Sequence, residues 1–152
     1  MNRSAQIILL VDDNPDDVEM TLMAFRKSNI VNEVVVATDG QEALDYLFGT
    51  GAWEGRGSVV MPHMVLLDLN MPIGGGLQVL RRMRADPRTK LLPVVVLTTS
   101  NEDKDIISSY DLGANSYVRK PVDFEQFVEA VRNLGLFWLV TNERPPLFGE
   151  RR

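Results

Sequence analysis

The sequence contains no cysteine, which removes disulfides, thiolate nucleophiles and cysteine-held metals from consideration. Its single histidine, His63, is too little for a multi-histidine zinc site and argues against a Ser-His-Asp triad. No stretch approaches the roughly 20 apolar residues of a membrane span. The apolar run Ile7–Val11 is too short for a signal-peptide core and stops at Asp12-Asp13 without a small-residue cleavage site. A cytoplasmic protein that does not enter membranes is therefore expected. A basic excess is also missing: the net charge is −5, which gives no support to general nucleic-acid binding. Repeats, heptads and low-complexity tracts are absent. What is present is an ordinary globular composition, 45% apolar and 24% charged over 152 residues, enough for one domain with a real core.

Along the chain an apolar strand recurs, followed each time by an amphipathic helix. Ile7–Val11, Val34–Ala37, Met64–Leu67, Pro93–Leu97 and Ser116–Arg119 read as strands; near-continuous apolar runs are typical of parallel strands buried on both faces. Asn14-Pro15 signals the start of the first helix, with Asn as cap and Pro at the first helical position. Val18, Leu22, Met23 and Phe25 follow at helical spacing. Asp39-Gly40 opens the second helix, Gly76 the third, Asn101 caps a fourth that stops at Gly113, and Asp123 caps the fifth with Gln126 three residues on. The third helix points Leu77, Leu80 and Met83 inward and Arg81, Arg82 and Arg84 largely outward. Residues 49–57 hold four of the eleven glycines and form a long loop. Its Trp53 is open to either local packing or a partner contact. His63 reads as a plain loop residue. Five such units predict an α/β fold: a five-stranded parallel sheet in flavodoxin-like order 2-1-3-4-5, with helices on both faces.

In such sheets ligands bind outside the carboxyl ends of the strands. Those ends carry Asp12-Asp13, Asp68, Thr98 and Lys120. Each alone reads as a cap, turn or solvated residue; their joint placement at one sheet edge is what points to chemistry. Three carboxylates in one cleft repel unless a cation relieves them. Mg²⁺, which takes a few carboxylates, waters and a phosphate oxygen, suits the set, with the Asn70 backbone carbonyl as a further ligand. Lys120 and Thr98 then pair with phosphoryl oxygens, and a lone carboxylate at the central strand, Asp68, serves as nucleophile. The glycines at 74–76 fit neither a dinucleotide fingerprint nor a P-loop.

LLVDDNP (Leu9–Pro15), LLDLNMP (Leu66–Pro72), VVLTTS (Val95–Ser100) and SYVRKPVDF (Ser116–Phe124) together resemble the receiver domains of two-component response regulators. The resemblance implies Asp68 as phosphoacceptor, Asp13 and the Asn70 carbonyl as Mg²⁺ ligands, and Asp12 acting directly or through metal-bound water. It implies Thr98 and Lys120 as phosphoryl contacts, Tyr117 as an aromatic switch moving with Thr98, and a cis Lys120-Pro121 bond. Asn70 and Ser100, small and polar, stand where that family lines the water path to the phosphoryl group, so self-dephosphorylation is expected. Gly75 departs from the family pattern, in which Asp commonly precedes the glycine at 76. The DDNPDDVEM start, the glycine-rich loop and the FWLVTNERPP ending further resemble single-domain regulators paired with bacterial and cyanobacterial phytochromes. The implied donor is a histidine kinase of the bacteriophytochrome type.

The receiver is expected to occupy 1–134, leaving 135–152 as an extension of the last helix and a tail too short for an output domain. Leu136–Val140 is apolar all round, so one inward face cannot hide all of it; part of it is expected to cover the bottom of the sheet and the rest to stay exposed. With Ile107 and Tyr110 of the fourth helix, Phe137 and Trp138 are expected to form a homodimer or partner surface. The basic run Arg81, Arg82, Arg84, Arg88 and Lys90 reads as a solvated face. The reading is thus a phospho-accepting switch and not an enzyme. The competing classes are a Mg²⁺-dependent phosphatase or phosphotransferase on small metabolites, for which a substrate cap is missing, and a flavodoxin-like cofactor binder, whose phosphate loop would not place Asp12-Asp13 after the first strand.

Overall fold

The computed structural model describes residues 6–55, 61–71, 75–121, 123–143 and 145–146. Strands β1 (Ile8–Val11), β2 (Val34–Ala37), β3 (Met64–Leu67), β4 (Val94–Thr98) and β5 (Ser116–Arg119) alternate with helices α1 (Pro15–Lys27), α2 (Gly40–Phe48), α3 (Gly76–Ala85), α4 (Asp103–Asp111) and α5 (Phe124–Gly135). The sheet is parallel throughout, in order β2-β1-β3-β4-β5, as expected from the sequence. A 3₁₀ turn at Gly51–Trp53 lies in the long loop, and a π-helical segment, Leu136–Thr141, continues α5.

The strand alternation divides the core. Leu9, Val11, Val65, Leu67, Val94 and Val96 meet α2 and α3 through Ala43, Leu47, Val79, Leu80 and Met83. Ile8, Leu10, Met64, Leu66, Val95 and Leu97 meet α1 and α5 through Ala24, Phe25, Phe127, Val131 and Leu134. Both faces of the central strands are covered, which is why they read as unbroken apolar runs. The caps are set locally. The Asn14 side chain accepts from the N–H groups of Asp16 and Asp17, and those of Asp39 and Asp123 accept from Glu42 and Gln126; each is worth about 1 kcal/mol. Gly113 ends α4 at φ 103°, a left-handed residue that glycine adopts freely.

Several expectations are corrected. Met23 is exposed because the buried stripe of α1 runs through Thr21, Ala24 and Phe25. Leu77 is only half-buried, its place inward taken by Val79. Asn101 does not cap α4. Ser100 Oγ instead accepts from the Glu102 N–H and donates to Asp105 Oδ2 at 2.6 Å. Arg84 turns inward: its guanidinium donates to the carbonyls of Gly113 and Lys90 and to Asn115 Oδ1, tying α3 to the α4–β5 turn, and burial lowers its pKa. Of the rest of the basic run, Arg82 and Arg88 sit over the Phe48 ring, at 5.8 and 4.7 Å from its centroid. His63 is buried just before β3, its N–H bonded to Ile7 O. Trp53 packs locally, edge-on to Tyr46 with centroids 4.7 Å apart. The Lys120-Pro121 bond is trans, since no peptide among the described residues is cis; trans is the lower-energy X-Pro isomer. Pro72 and Gly74 of the predicted turn lie outside the described residues, as do residues 56–57 of the long loop.

Tyr46 is 3% exposed, and burial, with a smaller push from Glu33, raises its pKa to about 12. The unfolded phenol titrates near 10. The raised folded value means its contribution is complete below pH 10 and is lost as pH climbs from about 10 to about 12. Tyr46→Phe is expected to remove roughly 2–3 kcal/mol of alkaline destabilisation over that window. Chemical denaturation at pH 9 and pH 11.5 measures it; parallel losses in both proteins would refute it.

Candidate functional site

The carboxyl ends of β1, β3, β4 and β5 converge, and each delivers one functional group as its strand stops. Asp12 follows β1, Asp68 follows β3, Thr98 ends β4 and Lys120 follows β5. All four are buried, an arrangement that polar groups tolerate only when mutually satisfied. Lys120 supplies the satisfaction. Its Nζ donates to Asp12 Oδ2 at 2.7 Å and to Asp17 Oδ2 at 3.0 Å, and stands 3.9 Å from Asp68 Oδ2. Burial opposes the charge on Lys120, but the hydrogen bond to Asp12 and the charges of Asp68 and Asp12 outweigh it and hold the ammonium above its ordinary pKa. Burial raises the Asp12 pKa, against the Lys120 hydrogen bond; the nearby Asp68 charge adds to the rise.

Asp12, Asp13 and Asp68 each offer a carboxylate oxygen, and these oxygens lie within 4.8 Å of one another. The donor set is all hard oxygen on rigid strand ends and fits a divalent cation of the Mg²⁺ or Mn²⁺ kind. The Asn70 N–H donates to Asp68 Oδ1 at 3.3 Å, and its side-chain amide to Thr98 Oγ1 and Thr99 Oγ1, each at 3.3 Å. One face of the cleft is therefore cation-seeking and the other carries an ammonium and a hydroxyl. Together they suit a phosphoryl group bridging a metal and a lysine.

A second set of bonds leads outward. The Tyr117 hydroxyl donates to the Ser100 carbonyl at 2.8 Å, and the half-buried ring packs against the α2–α3 side of the core. Its pKa is raised, chiefly by burial. With the Ser100–Asp105 bond, this links the end of β4 to both β5 and α4. The predicted partner surface is only partly open. Ile107, Tyr110 and Phe137 are 67%, 50% and 48% exposed. Trp138 is half-buried against the α1–α5 side of the core and edge-on to Phe137, with centroids 5.0 Å apart. Phe137 and Trp138 line a shallow cavity of about 400 Å³ along β5 and α5 with Val118 and Leu134.

Asp17 is a site residue that the sequence motifs do not place in the cleft. The available signal is helical geometry. Side chains tilt toward a helix N-terminus, and α1 starts three residues after Asp12, so a first-turn carboxylate can reach back to the cleft.

The model of the response regulator receiver domain family matches residues 8–132. Response regulator Rcp1 of Synechocystis sp. is 35% identical over 140 residues, covering 92% of this chain and 93% of the relative. The crystal structure of the phosphorylated cyanobacterial phytochrome response regulator RcpA superposes with a TM-score of 0.85 at 39% identity, covering 93% of this chain and 99% of that one. The bacteriophytochrome response regulator AtBRR is 49% identical with a TM-score of 0.72, covering 91% and 98%. Rcp1 has also been solved in an Mn²⁺-bound form.

Proposed function

The chain belongs to the response regulator receiver domain family and so has a phosphoacceptor role in two-component signalling, and on that premise we propose that Asp68 is the residue that takes the phosphoryl group. The observation that carries this is the single cleft in which Asp68 faces a buried ammonium at 3.9 Å and shares a cation-sized space with Asp12 and Asp13. An Asp68 oxygen bonds to phosphorus as the bond from phosphorus to the donor histidine nitrogen breaks. The bonding pair leaves with that nitrogen. Lys120 and the Thr98 hydroxyl take phosphoryl oxygens. Asp12 and Asp13, with Asp68 and the Asn70 carbonyl, hold Mg²⁺, which supplies charge neutralisation when bound.

The donor we propose is a phytochrome-type histidine kinase in the cytoplasm. The likeness to RcpA, Rcp1 and AtBRR, each aligned over more than nine-tenths of this chain, supports it. No described helix is long and apolar enough to cross a membrane. Self-dephosphorylation ends the signal, with Asn70 and Ser100 beside the water path. Incubation with Mg²⁺ and acetyl phosphate, read by intact mass, tests the assignment. One acid-stable, base-labile phosphoryl group that Asp68→Ala lacks is expected. Multiple turnover of a phosphomonoester without an adduct would overturn it in favour of a phosphatase.

The output is association. Residues 1–134 form the switch and 135–152 extend it. Phe137 and Trp138 beside the open edge strand β5, with Ile107 and Tyr110 of α4, form a homodimer face. Phe137→Ser is expected to shift the population toward monomer by about tenfold in Kd, as loss of an exposed aromatic anchor does. An unchanged dimer in sedimentation would remove Phe137 from the interface.

A further inference from the structure

Lys120 has three protons to donate, and two are committed at hydrogen-bond distance, to Asp12 and to Asp17. Asp68, the group it must serve, lies beyond that distance at 3.9 Å. The ammonium is therefore held off the phosphoacceptor by the α1 side of the cleft. Asp17 is not needed there for helix formation. Asn14 already accepts from the N–H groups of both Asp16 and Asp17, and Asp16 supplies negative charge to the same first turn. Nor does Asp17 belong to the carboxylate set with metal spacing, which is Asp12, Asp13 and Asp68 among the described residues. Its carboxylate is spent on Lys120.

The two bonds differ in how readily they open. The Asp12 bond has both side chains almost fully buried, at 2% and 4% exposure, whereas the Asp17 side chain is 26% exposed. Water can replace Lys120 at Asp17 but not at Asp12. We propose that Asp17 is a positioning residue that parks the Lys120 ammonium away from Asp68, and that this bond opens when the lysine engages the phosphoryl group. The resting cleft then carries a built-in brake: a bond that favours the unphosphorylated arrangement and that phosphoryl transfer must break. This inference rests on Asp68 being the phosphoacceptor.

The test compares wild type, Asp17→Asn, Asp17→Glu and Asp16→Asn with acetyl phosphate at saturating Mg²⁺. It follows the rate of adduct formation by intact mass and the Lys120 ammonium resonance by ¹H–¹⁵N NMR. Asp16→Asn removes the same charge from the same helix turn without touching Lys120, so it reports long-range electrostatics alone. Asp17→Asn is expected to take up the phosphoryl group about three- to tenfold faster, the worth of one partly exposed charged hydrogen bond, and to move the Lys120 resonance. Asp17→Glu is expected to keep the wild-type rate, and Asp16→Asn to stay within about twofold of it. An Asp17→Asn rate equal to or below wild type, a matching acceleration in Asp16→Asn, or an unmoved Lys120 resonance would overturn the proposal while leaving the phosphoacceptor assignment intact. Wild-type protein that takes no label on Asp68 is a different result and would remove both.

Discussion

Replacing Asp68 with asparagine is expected to abolish phosphoryl uptake and, in the absence of divalent metal, to raise the stability of the fold. The first effect follows from chemistry: an amide nitrogen or oxygen is a poor nucleophile toward phosphorus, and the remaining carboxylates are not placed alone at the central strand. The second follows from the charge arrangement. Asp68 is buried and repelled by Asp12 and Asp13 across at most 4.8 Å, at about 3.5 kcal/mol or more each for an effective dielectric of ~20. It is attracted by Lys120 at 3.9 Å, about 4 kcal/mol on the same scale. The two repulsions exceed the one attraction, and Lys120 keeps its bonds to Asp12 and Asp17 when Asp68 is neutralised. Screening at the more open Asp13 reduces the net gain to about 1–2 kcal/mol. Asparagine retains an acceptor for the Asn70 N–H. Addition of Mg²⁺ reverses the order, because a ligand at 100 times its Kd stabilises the wild-type site by about 2.7 kcal/mol. Thermal melts of both proteins with EDTA and with Mg²⁺ measure this directly. Wild type melting above Asp68→Asn in EDTA would show that the cleft is not frustrated.

That tension explains which parts of the site are legible in sequence. The central strands β1, β3 and β4 are buried on both faces, so their ends are sharp: an apolar run stops at Asp12, at Asp68 or at Thr98, and the parallel order brings those stops together. The cleft follows from four strand ends and one topological rule. Asp17 and Arg84 are hidden for a common reason. Each lies on a helix where periodicity assigns an outward or rim position, and each is drawn in by groups that periodicity cannot see. For Asp17 that group is the ammonium of Lys120, on the far side of the sheet order. For Arg84 it is the carbonyls at Lys90 and Gly113, which the loops leave without a ladder partner. Trp138 is legible only in part. An apolar segment without a polar face reads as an external surface, and the half-buried Trp138 also packs against the α1–α5 core.

The route from the cleft to the exposed surface is short and bonded. Thr98 accepts from the Asn70 amide. Two residues on, Ser100 takes the Tyr117 hydroxyl on its carbonyl and holds Asp105 of α4 through its own hydroxyl. Helix α4 has only Ser109 fully buried, so little packing resists its displacement. These bonds connect Thr98 to the helix that carries Ile107 and Tyr110 without passing through the core, the connection that the proposed output by association at that face would use.

Gly76→Ala is expected to damage both the fold and the chemistry, although glycine to alanine at an ordinary helix position stabilises. Gly76 is the first residue of α3 and lies against the backbone that follows β3. A Cβ there would press on the Asp68 carbonyl oxygen and stand 2.9 Å from Leu69 Cα. Both are main chain, so no rotamer change relieves the contact. Either α3 moves out, opening the packing of Val79, Leu80 and Met83 on the sheet, or the Asp68-Leu69 peptide moves. Overpacking of this kind costs about 1–3 kcal/mol, and a displacement near 1 Å at a reacting group can cost on the order of 100-fold in rate. Neighbouring Gly75 is the control. A Cβ there comes no closer than 3.7 Å, to Met71 O, and its φ of −51° suits any residue. Gly75 offers no side-chain cap to α3, so Gly75→Asp is expected to be tolerated and to add a few tenths of a kcal/mol as an N-cap. Melting temperatures and acetyl phosphate labelling of the two variants decide it. A Gly76→Ala protein that melts and labels like wild type would mean that α3 does not brace Asp68. With Gly75→Asp intact, the loss in Gly76→Ala locates the requirement in one missing methyl group behind Asp68.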